Sequence, residues 1–109
     1  TRGRAYGGTG DYEKAIADYT EVIRLYPEFD SAYYYRGEVH ALKGEYDLAI
    51  HDYSEAIRID PTEALAFASR AAAYLEKSQF DKAIADCTEA IRLDPQNAHA
   101  YNQRAMTLT

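Results

Sequence analysis

The three prolines of this chain, Pro27, Pro61 and Pro95, recur at a spacing of 34 residues, and that spacing constrains the fold more than any other feature. Other columns keep the same register: Ala15, Ala49 and Ala83; Ile16, Ile50 and Ile84; Asp18, Asp52 and Asp86; Glu21, Glu55 and Glu89; Arg24, Arg58 and Arg92. A second set precedes them, with Tyr33, Phe67 and Tyr101, then Arg2, Arg36, Arg70 and Arg104, then Gly3, Gly37, Ala71 and Ala105. No insertion breaks the phase. Self-similarity at one fixed period means that a single supersecondary unit is stacked several times.

Each unit reads as two helices. From Glu45 to Ile59 the apolar residues Tyr46, Ala49, Ile50, Tyr53, Ala56 and Ile57 step by three and four, which gathers them on one helical face. Residues Asp30 to Leu42 form the partner helix, Gly44 ends it where positive φ is needed, and Pro61 stops the second helix. A pair this small cannot bury its apolar stripe alone, so each pair must stack on the next. The expected fold is all-α, an α-solenoid of antiparallel helix pairs. Residues 1–29 form a partial first repeat, 30–63 and 64–97 two complete repeats, and 98–109 the first helix of a fourth. Because Thr1 and Thr109 fall inside first helices, the chain reads as a piece of a longer array without a polar capping helix.

These residues resemble the tetratricopeptide repeat family, whose pattern sets large aromatics, small residues and a final proline in fixed columns. The second repeat carries Tyr33, Arg36, Gly37, His40, Ala49, Tyr53 and Pro61; the third carries Phe67, Arg70, Ala71, Tyr74, Ala83, Cys87 and Pro95. The resemblance implies a right-handed superhelix and a protein-interaction scaffold that holds a peptide segment or helix of a partner in its concave groove. Two alternatives follow from the same family. The array could be the targeting arm of a larger enzyme such as a glycosyltransferase, or a structural array that self-associates end to end through its open terminal faces.

The first helix of each repeat is expected to line the groove. That places Leu65, Ala68, Ala72 and Leu75 of the third repeat on its floor, with Ser31, Tyr34, Glu38 and Ala41 in the second repeat. Arg4 in the first repeat and His99, Asn102, Met106 and Thr109 in the fourth complete the inner columns. A second reading gives Ala68 and Ala72 to close helix packing and Leu65 to the helix start. The family's carboxylate clamp for chaperone tails uses lysine, asparagine and arginine. Its columns hold Arg4, Tyr35, Leu65 and Ser69 here, or Tyr34, Glu38, Ser69, His99 and Gln103 one repeat along, where Glu38 would repel a carboxylate.

Charge and motifs narrow the function. A net charge of −6 repels a phosphate backbone, so nucleic acid is not an expected partner. The sequence has no apolar run of the ~20 residues that span a bilayer, so no membrane partner is expected and the cytoplasm is the default compartment. The single cysteine, Cys87, can form neither an internal disulfide nor a four-thiolate metal site, and it replaces Tyr19 and Tyr53 as a small filler. No phosphate loop, His-Glu-x-x-His or nucleophile elbow occurs, and Gly7, Gly8 and Gly10 read as a turn at the first helix. His40, His51 and His99 lack ligand spacing, and His40 shares a packing column with Tyr6 and Tyr74. The expectation is therefore no enzyme, no cofactor and no metal. The recurring charges are expected to pair within repeats as Arg2 with Asp18, Arg36 with Asp52 and Arg70 with Asp86.

Overall fold

The structure, a computed structural model, describes residues 9–97. Five α-helices follow one another there: α1 (Thr9–Leu25), α2 (Asp30–Leu42), α3 (Tyr46–Ile59), α4 (Ala64–Glu76) and α5 (Phe80–Leu93), with a 3-10 turn at Pro95–Asn97. The bounds of α2 and α3 fall within a residue of those expected from the periodicity. Each helix packs chiefly on its neighbours in sequence, α2 with α3 and α4 with α5 as pairs, and α3 with α4 across the repeat junction. The first helices of the two repeats, α2 and α4, also touch. This is an all-α helical repeat solenoid, and among the described residues no helix is long and apolar enough to cross a membrane.

Small residues set the spacing between helices. Ala49, Ala56, Ala66, Ala71, Ala83 and Ala90 are buried where backbones approach. Gly37 lies at a close approach of α2 and α3: a Cβ there would lie 2.9 Å from Tyr53 Cε1 and 3.2 Å from the Ala49 carbonyl oxygen. Gly44 ends α2 at φ +81°, its N–H donating to the Ala41 carbonyl and the Glu45 N–H to that of His40. In the third repeat Ser78 holds the equivalent position at φ +61°.

The expected arginine pairs form in both complete repeats. Arg36 Nε and Nη2 each donate at 2.8 Å to the two oxygens of Asp52, and Arg70 donates at 2.7 and 2.9 Å to those of Asp86. Both carboxylates are buried, and this fork is the geometry that the planar guanidinium favours. The remaining nitrogen does something the pairing did not foresee. Arg36 Nη1 donates to Thr20 Oγ at 3.1 Å and Arg70 Nη1 to Ser54 Oγ at 2.9 Å, in each case on the second helix of the preceding repeat. Each arginine therefore bridges three helices and couples one repeat to the next. Its guanidinium also lies over an aromatic ring, that of Arg36 5.7 Å from the Tyr33 centroid and that of Arg70 5.6 Å from the Phe67 centroid. Arg2, the expected partner of Asp18, lies outside the described residues, as do Gly7 and Gly8; Gly10 falls in the first turn of α1, inside the helix and not in a turn before it.

His40 is buried, with Nδ1 2.9 Å from Glu45 Oε1 and Nε2 3.8 Å from Asp52 Oδ2. Cys87 is half-buried, and burial pushes its thiol above the ordinary value, away from the thiolate that reacts.

Candidate groove site

The inner columns come together on α2 and α4, but not as a uniform apolar floor. Ala68 is 0% exposed and Ala72 2% exposed. Ala68 packs with Ala64 and Ala90 under Phe67, Ile91 and Leu93, so its methyl is the spacer between α4 and α5. The expectation of a floor open at these two positions is thereby corrected. A helix face made of alanines lets backbones close until no solvent reaches it, and close packing is what the two residues provide. Leu65 remains 39% exposed at the start of α4, and Leu75 is half-buried near its end. Arg4, His99 and Asn102 lie outside the described residues.

Tyr34 and Glu38 form the polar centre. The Tyr34 hydroxyl donates to Glu38 Oε2 at 2.5 Å and lies 3.1 Å from Ser69 Oγ on α4. The Tyr53 hydroxyl, from α3, donates to Glu38 Oε1 at 3.0 Å. One carboxylate on α2 is thus held by hydroxyls from its own helix and from α3, with Ser69 Oγ of α4 at 3.4 Å. A charged acceptor strengthens such bonds, and the network fixes the Tyr34 ring against Tyr53, with centroids 5.7 Å apart. Tyr34 also meets Tyr35 edge to face at 5.2 Å.

Beside this network, at the junction of the two repeats, Asp30, Ser31, Tyr34, Tyr35, Glu63 and Leu65 enclose a recess of about 70 Å³. Carboxylate oxygens of Asp30, Asp60 and Glu63 lie within 4.8 Å of one another at its edge. Asp60 is further held below its ordinary value by the Thr62 hydroxyl and N–H. Asp30 and Glu63 were not among the expected groove residues, and Tyr35 entered only as the occupant of a clamp column. Their signal in the sequence is departure from the repeat: one period on, the positions of Asp30, Tyr34, Tyr35 and Glu63 hold Ala64, Ala68, Ser69 and Asn97.

Comparison with known proteins places the fold. Among solved structures the chain is similar to MamA at 30% identity and a TM-score of 0.78, over 89% of this chain and 57% of that one. It is similar to the TPR2B domain of yeast Sti1 in its pHsp70 complex at 25% identity and a TM-score of 0.84, over 97% of this chain and 89% of that one. It is also similar to the second TPR domain of human RPAP3 in complex with the HSP70 peptide SGPTIEEVD, at 27% identity and a TM-score of 0.80, over 98% and 85% of the two chains. The chain thus spans a little over half the length of the MamA structure. Among curated proteins, no sequence relative matches it. Residues 1–64 match one tetratricopeptide repeat profile and residues 64–97 a second, so that repeat period, helix pairs and small-residue columns agree, and the chain belongs to the tetratricopeptide repeat family.

Proposed function

We propose that the chain is a protein-interaction module that holds an extended peptide segment of a partner against α2 and α4. The observation that carries this reading is the inner face itself. An ordinary exposed helix face is polar and mobile, whereas here Tyr34 is fixed by hydroxyl and ring contacts beside the exposed Tyr35 and Leu65. Rigid aromatic anchors with few rotors make contact area at low entropic cost. The similar Sti1 and RPAP3 domains are themselves complexes with Hsp70 peptides, which supports a peptide as the kind of ligand.

The acidic chaperone tail is a poor fit in detail. Glu38, Asp30 and Glu63 line the surface where SGPTIEEVD would bring four more carboxylates, its C-terminus included, and like charges brought together cost affinity. We therefore assign the groove to segments with apolar anchors that do not end in such a cluster. Catalysis is no part of the proposed role, and a place as the targeting arm of a larger enzyme is compatible with it.

Peptides selected on the folded chain from a random library test the reading. Binding should be lost in a Tyr35→Glu, Leu65→Glu variant that retains its helicity, and kept in Ile84→Glu, which alters an α5 residue that is 63% exposed. Loss in Ile84→Glu with retention in the other variant would move the site to the opposite face and overturn the proposal.

A further inference from the structure

The recess at the repeat junction has a chemistry that the fold does not require. In a repeat protein, residues that serve the fold recur at the period, as Arg36 and Arg70 do, or Asp52 and Asp86. Asp30, Tyr34, Tyr35 and Glu63 do not recur, and the third repeat folds with alanine, alanine, serine and asparagine in their place.

The charges are also set out unlike those elsewhere in the molecule. Asp52 and Asp86 pair with arginines across helices, and Glu21, Glu55 and Glu89 pair with arginines on their own helix. Asp30, Asp60 and Glu63 converge on one point, yet among the described residues no lysine, arginine or histidine lies within ion-pair distance of any of them. The amino ends of α2 and α4 offset part of that repulsion. They do not explain why two tyrosine rings and a leucine close around two of the acids.

We propose that this recess receives an arginine side chain of the bound segment, the guanidinium lying against the Tyr34 and Tyr35 rings and between the Asp30 and Glu63 carboxylates; the inference rests on the peptide-binding reading above. Size agrees: a cavity needs only ~10–15 Å³ to hold a water, so about 70 Å³ takes the head of one side chain but not a second residue. The molecule already uses this arrangement internally, since Arg70 forks onto Asp86 while lying 5.6 Å from Phe67 and 5.8 Å from Tyr74. A planar, weakly hydrated cation with a fork of donors matches both walls of the recess, which a compact ammonium does not. Leu65, at the rim, would meet an apolar neighbour of that arginine.

Three peptides titrated into the ¹⁵N-labelled chain at low salt test this: Gly-Leu-Arg-Leu-Gly and the same sequence with citrulline for arginine, both blocked at their ends, and SGPTIEEVD with its C-terminal carboxylate free. The arginine peptide should produce saturable shifts at Ser31, Tyr35, Glu63 and Leu65 and bind at least about tenfold more tightly than its citrulline twin. An Asp30→Asn, Glu63→Gln variant, which removes a like-charge contact and should fold, should abolish that difference. Equal binding of the arginine and citrulline peptides would overturn the proposal. So would calcium chloride at low millimolar concentration giving the same shifts, which would make the three acids a metal site. If SGPTIEEVD is preferred on this face, the arginine preference falls while the peptide-binding reading stands; if no peptide moves α2 or α4, both fall.

Discussion

A methyl group placed on Gly37 would sit 2.9 and 3.0 Å from two ring carbons of Tyr53 and 3.2 Å from the Ala49 carbonyl oxygen. Neither neighbour can yield cheaply. The carbonyl belongs to the α3 backbone, and the Tyr53 ring is 1% exposed and tied at its hydroxyl to Glu38. Overpacking of this kind costs about 1–3 kcal/mol, while replacing a mid-helix glycine by alanine returns about 1 kcal/mol of helix propensity. Gly37→Ala should therefore destabilise the chain by roughly 1 kcal/mol net, a fall of about 4–8 °C in the unfolding midpoint for a domain of this size. The chain contains its own control. In the third repeat alanine stands at this column as Ala71, and the residue in the Tyr53 column is the smaller Cys87. In a Tyr53→Cys background the two ring contacts are gone and only the 3.2 Å contact with the Ala49 carbonyl oxygen remains, so the propensity gain of about 1 kcal/mol should largely offset it and Gly37→Ala should be close to neutral relative to that background. Urea or thermal unfolding followed by circular dichroism measures all four corners of the cycle. Equal cost of Gly37→Ala in both backgrounds, or no cost in the parent, would refute the claim that glycine here is dictated by the tyrosine opposite.

Arg70→Met should cost about 3 kcal/mol by leaving the buried Asp86 carboxylate without its guanidinium, and the additional Asp86→Leu change should restore much of that loss in urea unfolding. Ser78→Gly should stabilise by about 0.5–1 kcal/mol, because a serine at φ +61° carries strain that the glycine at the equivalent Gly44 does not, and a thermal scan reads the difference. The hydrogen bond with His40 and the nearby Lys43 ammonium hold the Glu45 carboxylate below its ordinary 4.5. A depressed carboxylate contributes stability above its unfolded value that is lost as pH falls through the folded one, so the midpoint should drop further for the parent than for Glu45→Gln between about pH 5 and pH 3.

Most of the fold was legible because its determinants are periodic. The bounds of α2 and α3, the positive φ at Gly44, and the Arg36–Asp52 and Arg70–Asp86 pairs all followed from columns that repeat, and a column repeated in every unit is a statement about packing. The Thr20 and Ser54 contacts of those arginines were equally periodic, since Thr20, Ser54 and Thr88 form a hydroxyl column, yet a hydroxyl in a helix has many partners open to it and pattern alone does not choose one. The groove was half legible. Helical spacing put Tyr34, Glu38 and Leu65 on one side, but spacing cannot say how closely helices approach: the approach of α5 takes Ala68 out of solvent, and Ala72 is buried as well. The recess depends on Glu63, which precedes α4, meeting Asp30 at the start of α2, a juxtaposition of residues 33 positions apart that only the stacking angle of successive repeats creates.

The central claim is that a partner segment lies along α2 and α4, and amide chemical-shift mapping of the chain with a library-selected peptide tests it most directly. The account predicts that the perturbed amides cluster at Ser31, Tyr34, Tyr35, Glu38, Leu65 and Leu75, with α3 and the exposed face of α5 around Ile84 unmoved. Perturbations confined to α3 and α5, with α2 and α4 silent at saturation, would contradict it.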